Sequence, residues 1–430
     1  MRGIAKRLVA GYLALLARIR LARRPLLFVA VAGASGKTST VAATAAALGT
    51  HYRVRTGTGM NSETGVPLGI LGVRMESYGL LGWLRALLAA TWNAFFLKDR
   101  CDAYVAEYGI DHPGDMRRLL RIRIPDIAVM TGVALEHAGF FAGSKDEVLA
   151  QLADEELALL EALPEKAVAV VNVDDERVRA RIPRLRCKVA SVGWSEEAAY
   201  ELTRYGLDDA GTSLELYGRG VTYAARLPHA LSRDSAMSLA LGAVAAHQAD
   251  VPLREGLRAI EQGFAVPPGR GVLLRGREGR AILDSSYNAT PGAVSDALGM
   301  LAGIAGIRRR VAILGDMREL GDLTGWAHRE LAPRVAACSD LAVLVGPAMN
   351  EHLRPELEAH RVSCVGFADA AALLKGLDEI LEPGDAVLVK GSQNTLFLER
   401  VTEALLADPA DAARLPRRGA RWDAARAAAS

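Results

Sequence analysis

Residues 33–38 read Gly-Ala-Ser-Gly-Lys-Thr and lie between an apolar run, LLFVAVAG, and a stretch of helix formers, STVAATAAALG. A phosphate group calls for this arrangement: glycines that let backbone N–H groups approach the oxyanion, then a helix turning its positive end toward it. Lys37 has the reach for terminal phosphates, the Thr38 hydroxyl suits Mg²⁺, and Gly33, Ala34, Ser35, Gly36 and Ser39 make up the loop. The common loop, G-x-x-x-x-G-K-[ST], would place a glycine where this chain has Val31, so the loop is a shortened form. Mg²⁺ prefers oxygen ligands, so carboxylates at neighbouring strand ends are candidates to complete its sphere. Glu107 closes the apolar run AYVAEYG, and His137 follows another strand end in TGVALEHAGFF.

These residues need a frame. LLFVAVAG, AYVAEYG, IAVMTG, AVAVVNVDD, AILDSS, VAILGD, LAVLVG and AVLVKG have strand length and alternate with helical stretches. That pattern predicts an α/β protein with mostly parallel sheets covered on both faces, ligands binding beyond the carboxyl ends of the strands. The Pro-, Gly- and Arg-rich segment Phe264 to Arg280 suggests a boundary near residue 270. The expected organisation is a basic N-terminal helix (1–25), a P-loop-type central domain (26–270), a Rossmann-like C-terminal domain (271–407) and a loosely docked or disordered tail (408–430).

The bulk properties narrow the partners. With 52 Lys and Arg against 50 Asp and Glu, the net charge of +2 gives no reason to expect nucleic acid. Cys101, Cys187, Cys338 and Cys364 are far apart and read as small buried residues of a reducing compartment. In the N-terminal stretch, arginines interrupt an uncharged run, Leu8 to Ala17, that is too short to span a bilayer. It reads either as a helix packed on the domain, the favoured reading, or as a basic amphipathic helix on an anionic membrane surface. Leu80 to Leu97, LLGWLRALLAATWNAFFL, poses the same choice.

Together the motifs resemble the Mur ligases, the ATP-dependent amide ligases of peptidoglycan assembly, most closely the MurF-like branch. The shortened G-x-x-G-K-[ST] loop is that family's form. NSETGVP (61–67), EYGIDHPGDM (107–116), TGVALEHAGFFAGS, VVNVDDERV, DSSYNATPGAV (284–294), LGDMRELG (314–321) with His328, and VLVKGSQN (387–394) follow its signatures in order. The resemblance implies ATP and Mg²⁺ as cofactors and a cytoplasmic protein, with the inner membrane surface as the alternative site. It implies that Lys37 and the loop bind the ATP phosphates, and that Thr38 and Glu107 hold one Mg²⁺ while His137 helps hold a second. Arg270, Asp284, Tyr287 and Asn288 would reach the nucleotide across the domain interface. Asn61, His328, Lys390 and Ser392 would face the small-molecule or peptide-like carboxylate and amine substrates.

Four departures from the family pattern stand out. No UDP-binding domain precedes the loop within this sequence. The lysine that the family carbamylates is missing from QLADEELALLEAL, where Asp154, Glu155 and Glu156 crowd the place and alignment favours Asp154 as a direct carboxylate substitute. The family's adenine-holding stretch is not recognisable in LPHALSRDSAMSLALGAVAA, and Gly132 stands where Asn is common. Two functions compete: an amide ligase acting on a peptidoglycan precursor or another carboxylate, and a non-catalytic nucleotide-binding regulator.

Overall fold

The computed structural model describes residues 2–57, 59–75, 79–96, 100–208, 211–229, 231–392, 396–419 and 422 of the 430-residue chain. Gln393 and Asn394 of the VLVKGSQN motif, Leu97, and most of the tail beyond Gly419 lie outside these residues.

Among the described residues the strands form two sheets. The first contains β1 (Leu27–Ala32), β2 (Val54–Thr56), β3 (Ala103–Glu107), β4 (Ile127–Met130), β5 (Val168–Asn172), β6 (Lys188–Gly193), β7 (Tyr200–Asp208), β8 (Gly211–Gly218) and β9 (Val221–Leu227), in the order β2-β3-β1-β4-β5-β6-β7-β8-β9. It is parallel as far as β7 and antiparallel through β8 and β9. The second contains β10 (Val272–Arg275), β11 (Ala281–Ser285), β12 (Arg310–Gly315), β13 (Leu341–Val345), β14 (Cys364–Phe367) and β15 (Ala386–Lys390), in the order β10-β11-β15-β12-β13-β14. Only β10 runs antiparallel there. Each of the eight apolar runs forms a strand, because helices cover both faces and an unbroken Val/Ile/Leu/Ala run meets that need.

The helices that matter to the site are α1 (Arg2–Arg23), α2 (Lys37–Leu48), α3 (Gly65–Ile70), α4 (Leu80–Phe96), α5 (Asp115–Ile122), α6 (Lys145–Glu161), α7 (Glu176–Arg181) and α8 (Arg233–His247). α1 packs Leu13, Leu16, Ala17 and Leu21 inward, against α3, α4 and α5, as the packed-helix reading requires. Helix α8 lies along α2, the helix that follows the loop. The tail is docked further than expected. Leu415 is buried, and the buried Arg417 pairs with Glu399 at 2.6 Å.

Candidate active site

Strand register brings the first set of groups together. Val31 pairs with Glu107, and Ala32 with Met130, so the carboxyl ends of β1, β3 and β4 finish level at the loop. The loop needs its glycines: Gly33 has φ +121° and Gly36 φ +80°. A Cβ on Gly33 would also run into Thr131 Oγ1 and the backbone of Gly132. Thr38 Oγ1 donates to Glu107 Oε2 at 3.0 Å. Lys37 Nζ donates to Gly33 O at 2.6 Å, to Ala34 O at 2.8 Å and to Glu136 Oε2 at 3.1 Å. Burial alone would lower the Lys37 pKa; Glu136, Glu156 and Glu107 outweigh it and hold the ammonium above its ordinary range.

Of the three acidic residues that crowd this stretch, alignment favours Asp154, but it is Glu156 that the fold brings to the loop. The Asp154 side chain is 73% exposed and bonds Arg181 on the outer face of α6 at 2.6 Å. Glu156, two residues on and buried, accepts from the loop N–H of Gly33 at 3.0 Å. Its pKa rises to about 7 because burial disfavours the charge, although Lys37 pulls it back. Glu155 turns to a third partner, accepting from the backbone N–H of Gly114 and Met116. The helical period decides among the three: Leu149, Leu152, Ala153, Glu156 and Leu160 share the buried face of α6.

The second sheet supplies the opposite wall. A cavity of about 290 Å³, the scale of a small-molecule site, is lined by Ala34, Ser35, Gly36 and Ser39 on one side. Arg270, Tyr287, Asn288 and Lys390 line it on the other. Both sheets thus turn their carboxyl ends toward one space. The Tyr287 ring is flanked by the guanidinium groups of Arg270, 4.6 Å from its centroid, and Arg417, 5.5 Å away. Lys390 Nζ donates to Ser285 O at 3.3 Å and also to Asn288 O. Burial, and then the Arg270 charge, bring its pKa down to about 7. α8 adds Asp234, Ser235 and Ser238 to the wall, from the stretch in which no base-holding pattern was legible. Beside Gly132, Asp175 Oδ2 accepts from Val133 N at 2.7 Å and Asn172 donates to Thr131 O at 2.9 Å.

Other expected residues stand elsewhere. Asp284 does not line the cavity. Alternation along β11 turns it to the far face, where it is fully buried and accepts from Thr402 Oγ1 at 3.1 Å. Ser392 is buried and stitches two loops, accepting from Arg318 N at 3.1 Å and donating to Ala289 O at 3.3 Å. Asn61 lies against Gly109, whose N–H bonds its carbonyl at 3.0 Å, and not on the cavity wall. His137 does not turn to Thr38 and Glu107. Its ring sits 2.6 Å from Glu319 and 3.4 Å from Asp111, linking the first sheet's loops to the second's. Gly139 N donates to Glu319 O at 2.7 Å beside it.

His328, expected at the substrate, is fully buried. Its Nε2 accepts from Met317 N at 3.0 Å and its Nδ1 bonds Thr324 O at 2.7 Å, so the neutral ring props the loop that carries Glu319. Burial lowers its pKa accordingly. His328→Ala leaves a cavity and an unpaired buried N–H, and is expected to destabilise the protein by about 2–4 kcal/mol in urea unfolding. An unchanged unfolding midpoint would place the loop's support elsewhere.

A second prediction arises at Lys390. Its pKa is lowered from 10.5 to about 7 in the fold, so the unfolded chain binds the extra proton between those values and stability rises with pH across them. Lys390→Met removes that rise, which thermal melts from pH ~7 to ~10 would show. Parallel melting curves for the two proteins would refute it.

The residues fit a hard divalent cation. Thr38 and Glu107 offer oxygen donors, and no group of three or more His, Cys, Asp or Glu among the described residues could hold a metal unaided. Such a set suits an ion that takes its remaining ligands from phosphate and water, as Mg²⁺ does.

A shortened phosphate loop on one parallel sheet, facing a lysine and a stacked tyrosine from a second, defines a two-domain nucleotide-dependent α/β enzyme. The chain matches the Mur ligase middle domain over residues 31–230 and the Mur ligase glutamate ligase domain over residues 269–393. It is 24% identical over 390 residues to UDP-N-acetylmuramoyl-tripeptide–D-alanyl-D-alanine ligase of Bacillus subtilis, covering 89% of this chain and 76% of that one. The Treponema pallidum ligase of the same name is 29% identical over 384 residues, covering 88% and 74%. In fold it resembles the MurF ligase of Thermotoga maritima solved with ADP (TM-score 0.72, 23% identity, 92% of this chain and 83% of that one). It also resembles the Mycobacterium tuberculosis folylpolyglutamate synthase (TM-score 0.61, 20% identity, 90% and 95%). The chain belongs to the Mur ligase family and is an ATP-dependent, amide-forming ligase with MurF-like relatives.

Proposed function

We propose that the protein joins a peptide-like or cell-envelope carboxylate to the amine of an amino acid or dipeptide, with release of ADP and phosphate. The observation that carries this reading is the single cavity into which both sheets turn their carboxyl ends, with the loop on one wall and Arg270, Tyr287 and Lys390 on the other. The terminal phosphate of ATP displaces Glu136 from Lys37, and the loop N–H groups hold the remaining oxyanions. The substrate carboxylate then attacks the γ-phosphorus, the bond to ADP breaks, and an acyl phosphate forms. The neutral amine nitrogen attacks the acyl carbon, phosphate leaves with the electron pair of the C–O bond, and the proton given up by the nitrogen passes to the departing phosphate or to solvent. Thr38 and Glu107 would hold Mg²⁺, which would supply positive charge against the repulsion of two anions. Arg270 adds fixed positive charge from the second domain, where it is worth most away from water, and Lys390, its pKa brought down to about 7, lines the same wall.

The B. subtilis and T. pallidum relatives point to UDP-muramoyl-tripeptide and D-alanyl-D-alanine as the first pair to try. The test is phosphate release from ATP and Mg²⁺ with and without that pair, with mass spectrometry of the products. A pentapeptide product would establish the substrates. Release that depends on another carboxylate would keep the chemistry and change the acceptor. ATP binding with no release for any carboxylate–amine pair would leave the regulator.

A further inference from the structure

We propose that α1 and α4 together form a docking surface for an anionic lipid bilayer, on which the protein lies without crossing it. α4 is built inside out. Its buried stripe is Ala86, Ala90 and Ala94, with Trp83 and Leu87 half-buried beside it, while Leu88, Trp92 and Phe96 face water, 63%, 64% and 59% exposed. A helix of a water-soluble domain normally does the reverse. The alanine stripe lets α1 approach closely, and α1 exposes Leu8, Tyr12 and Leu15 along one face. Tyr12 Oη and Thr91 Oγ1 meet at 2.8 Å, so the two exposed faces join in one patch. A contiguous apolar patch of this kind marks an interaction surface.

Charge selects the occupant. Neither helix carries an acidic residue. Lys6 and Arg7 stand exposed near one end of α1, Arg18, Arg23 and Arg24 near the other, and the Arg23 guanidinium lies 5.8 Å from the Phe95 ring. Basic groups flanking an apolar centre can reach lipid phosphates while Trp and Phe enter the acyl boundary. No helix among the described residues is long and apolar enough to cross a membrane, which leaves the surface mode. At the basic end of the patch, Lys6 pairs at 3.5 Å with Glu63, just before α3.

The test is co-sedimentation of the full-length protein with vesicles of phosphatidylcholine alone or mixed with phosphatidylglycerol, at low and high salt. The expected result is pelleting with the anionic vesicles that high salt weakens. The triple variant Leu88→Glu, Trp92→Glu, Phe96→Glu should lose partitioning ~100-fold or more. Arg7→Glu with Arg18→Glu should lose roughly tenfold for anionic vesicles only. All these side chains face solvent, so melting temperature and nucleotide binding should not change. Equal pelleting with neutral and anionic vesicles, or none with either, would overturn the proposal. So would a dimer in solution that the triple variant dissociates, since the occupant would then be a second copy of this chain.

Discussion

Lys37→Ala should lower ATP-dependent phosphate release ~10³-fold, about 4 kcal/mol of transition-state stabilisation, with the protein still folded. The size follows from its surroundings. The ammonium is buried yet held charged by Glu136, Glu156 and Glu107, and it is already bonded to the Gly33 and Ala34 carbonyls. In the proposed reaction it would be a preorganised donor where phosphoryl charge develops. Steady-state phosphate release at saturating ATP and Mg²⁺, alongside binding of a fluorescent nucleotide, would measure both sides of the effect. Turnover within roughly threefold of the parent would remove Lys37 from the phosphate site.

The second large effect is on stability. The Glu156 carboxyl has a pKa of about 7 in the fold against an ordinary 4.5, so between those values the native state holds a proton that the unfolded chain has lost. Stability therefore falls as pH rises from ~4.5 through ~7, by about 3 kcal/mol in all. Glu156→Gln keeps an acceptor for the Gly33 N–H but cannot ionise, and should flatten this slope, leaving the variant more stable than the parent at pH 8. Thermal melts of the nucleotide-free protein from pH 5 to 8 would show it. At pH 8, where Glu156 is ionised, the same variant removes one of the carboxylates that keep Lys37 charged and should reduce turnover. A slope unchanged by Glu156→Gln would mean that another group, such as Asp296, carries the proton.

Three residues show how far spacing could lead. Glu107 was legible because a carboxylate at the end of a buried strand has one place to go: register with β1 carries it to the loop. Glu156 was within reach, since a helical wheel over Lys145–Glu161 sets it among leucines and alanines while Asp154 faces outward. Linear position alone favours Asp154, whose side chain lies on the outer face of α6 against Arg181. His328 was not legible at all. Nothing in TGWAHRE distinguishes a ring that meets substrate from one that props a neighbouring loop, because the difference lies in Met317 N, which reaches it from another segment of the chain.

The same division runs through the whole molecule. Local physics writes the strands, the loop glycines and the alternation of strand and helix into the chain, because each depends on neighbours within a few residues. The shortened loop and its Lys-Thr pair are of this kind, as is the absence of acidic residues from α1 and α4. Contacts made across the fold are of the other kind. Glu136 on Lys37, Arg417 on Tyr287, Asp284 turned away from the cavity, and the outward face of α4 each depend on which distant surfaces meet, and that is set when two sheets and their helices pack together.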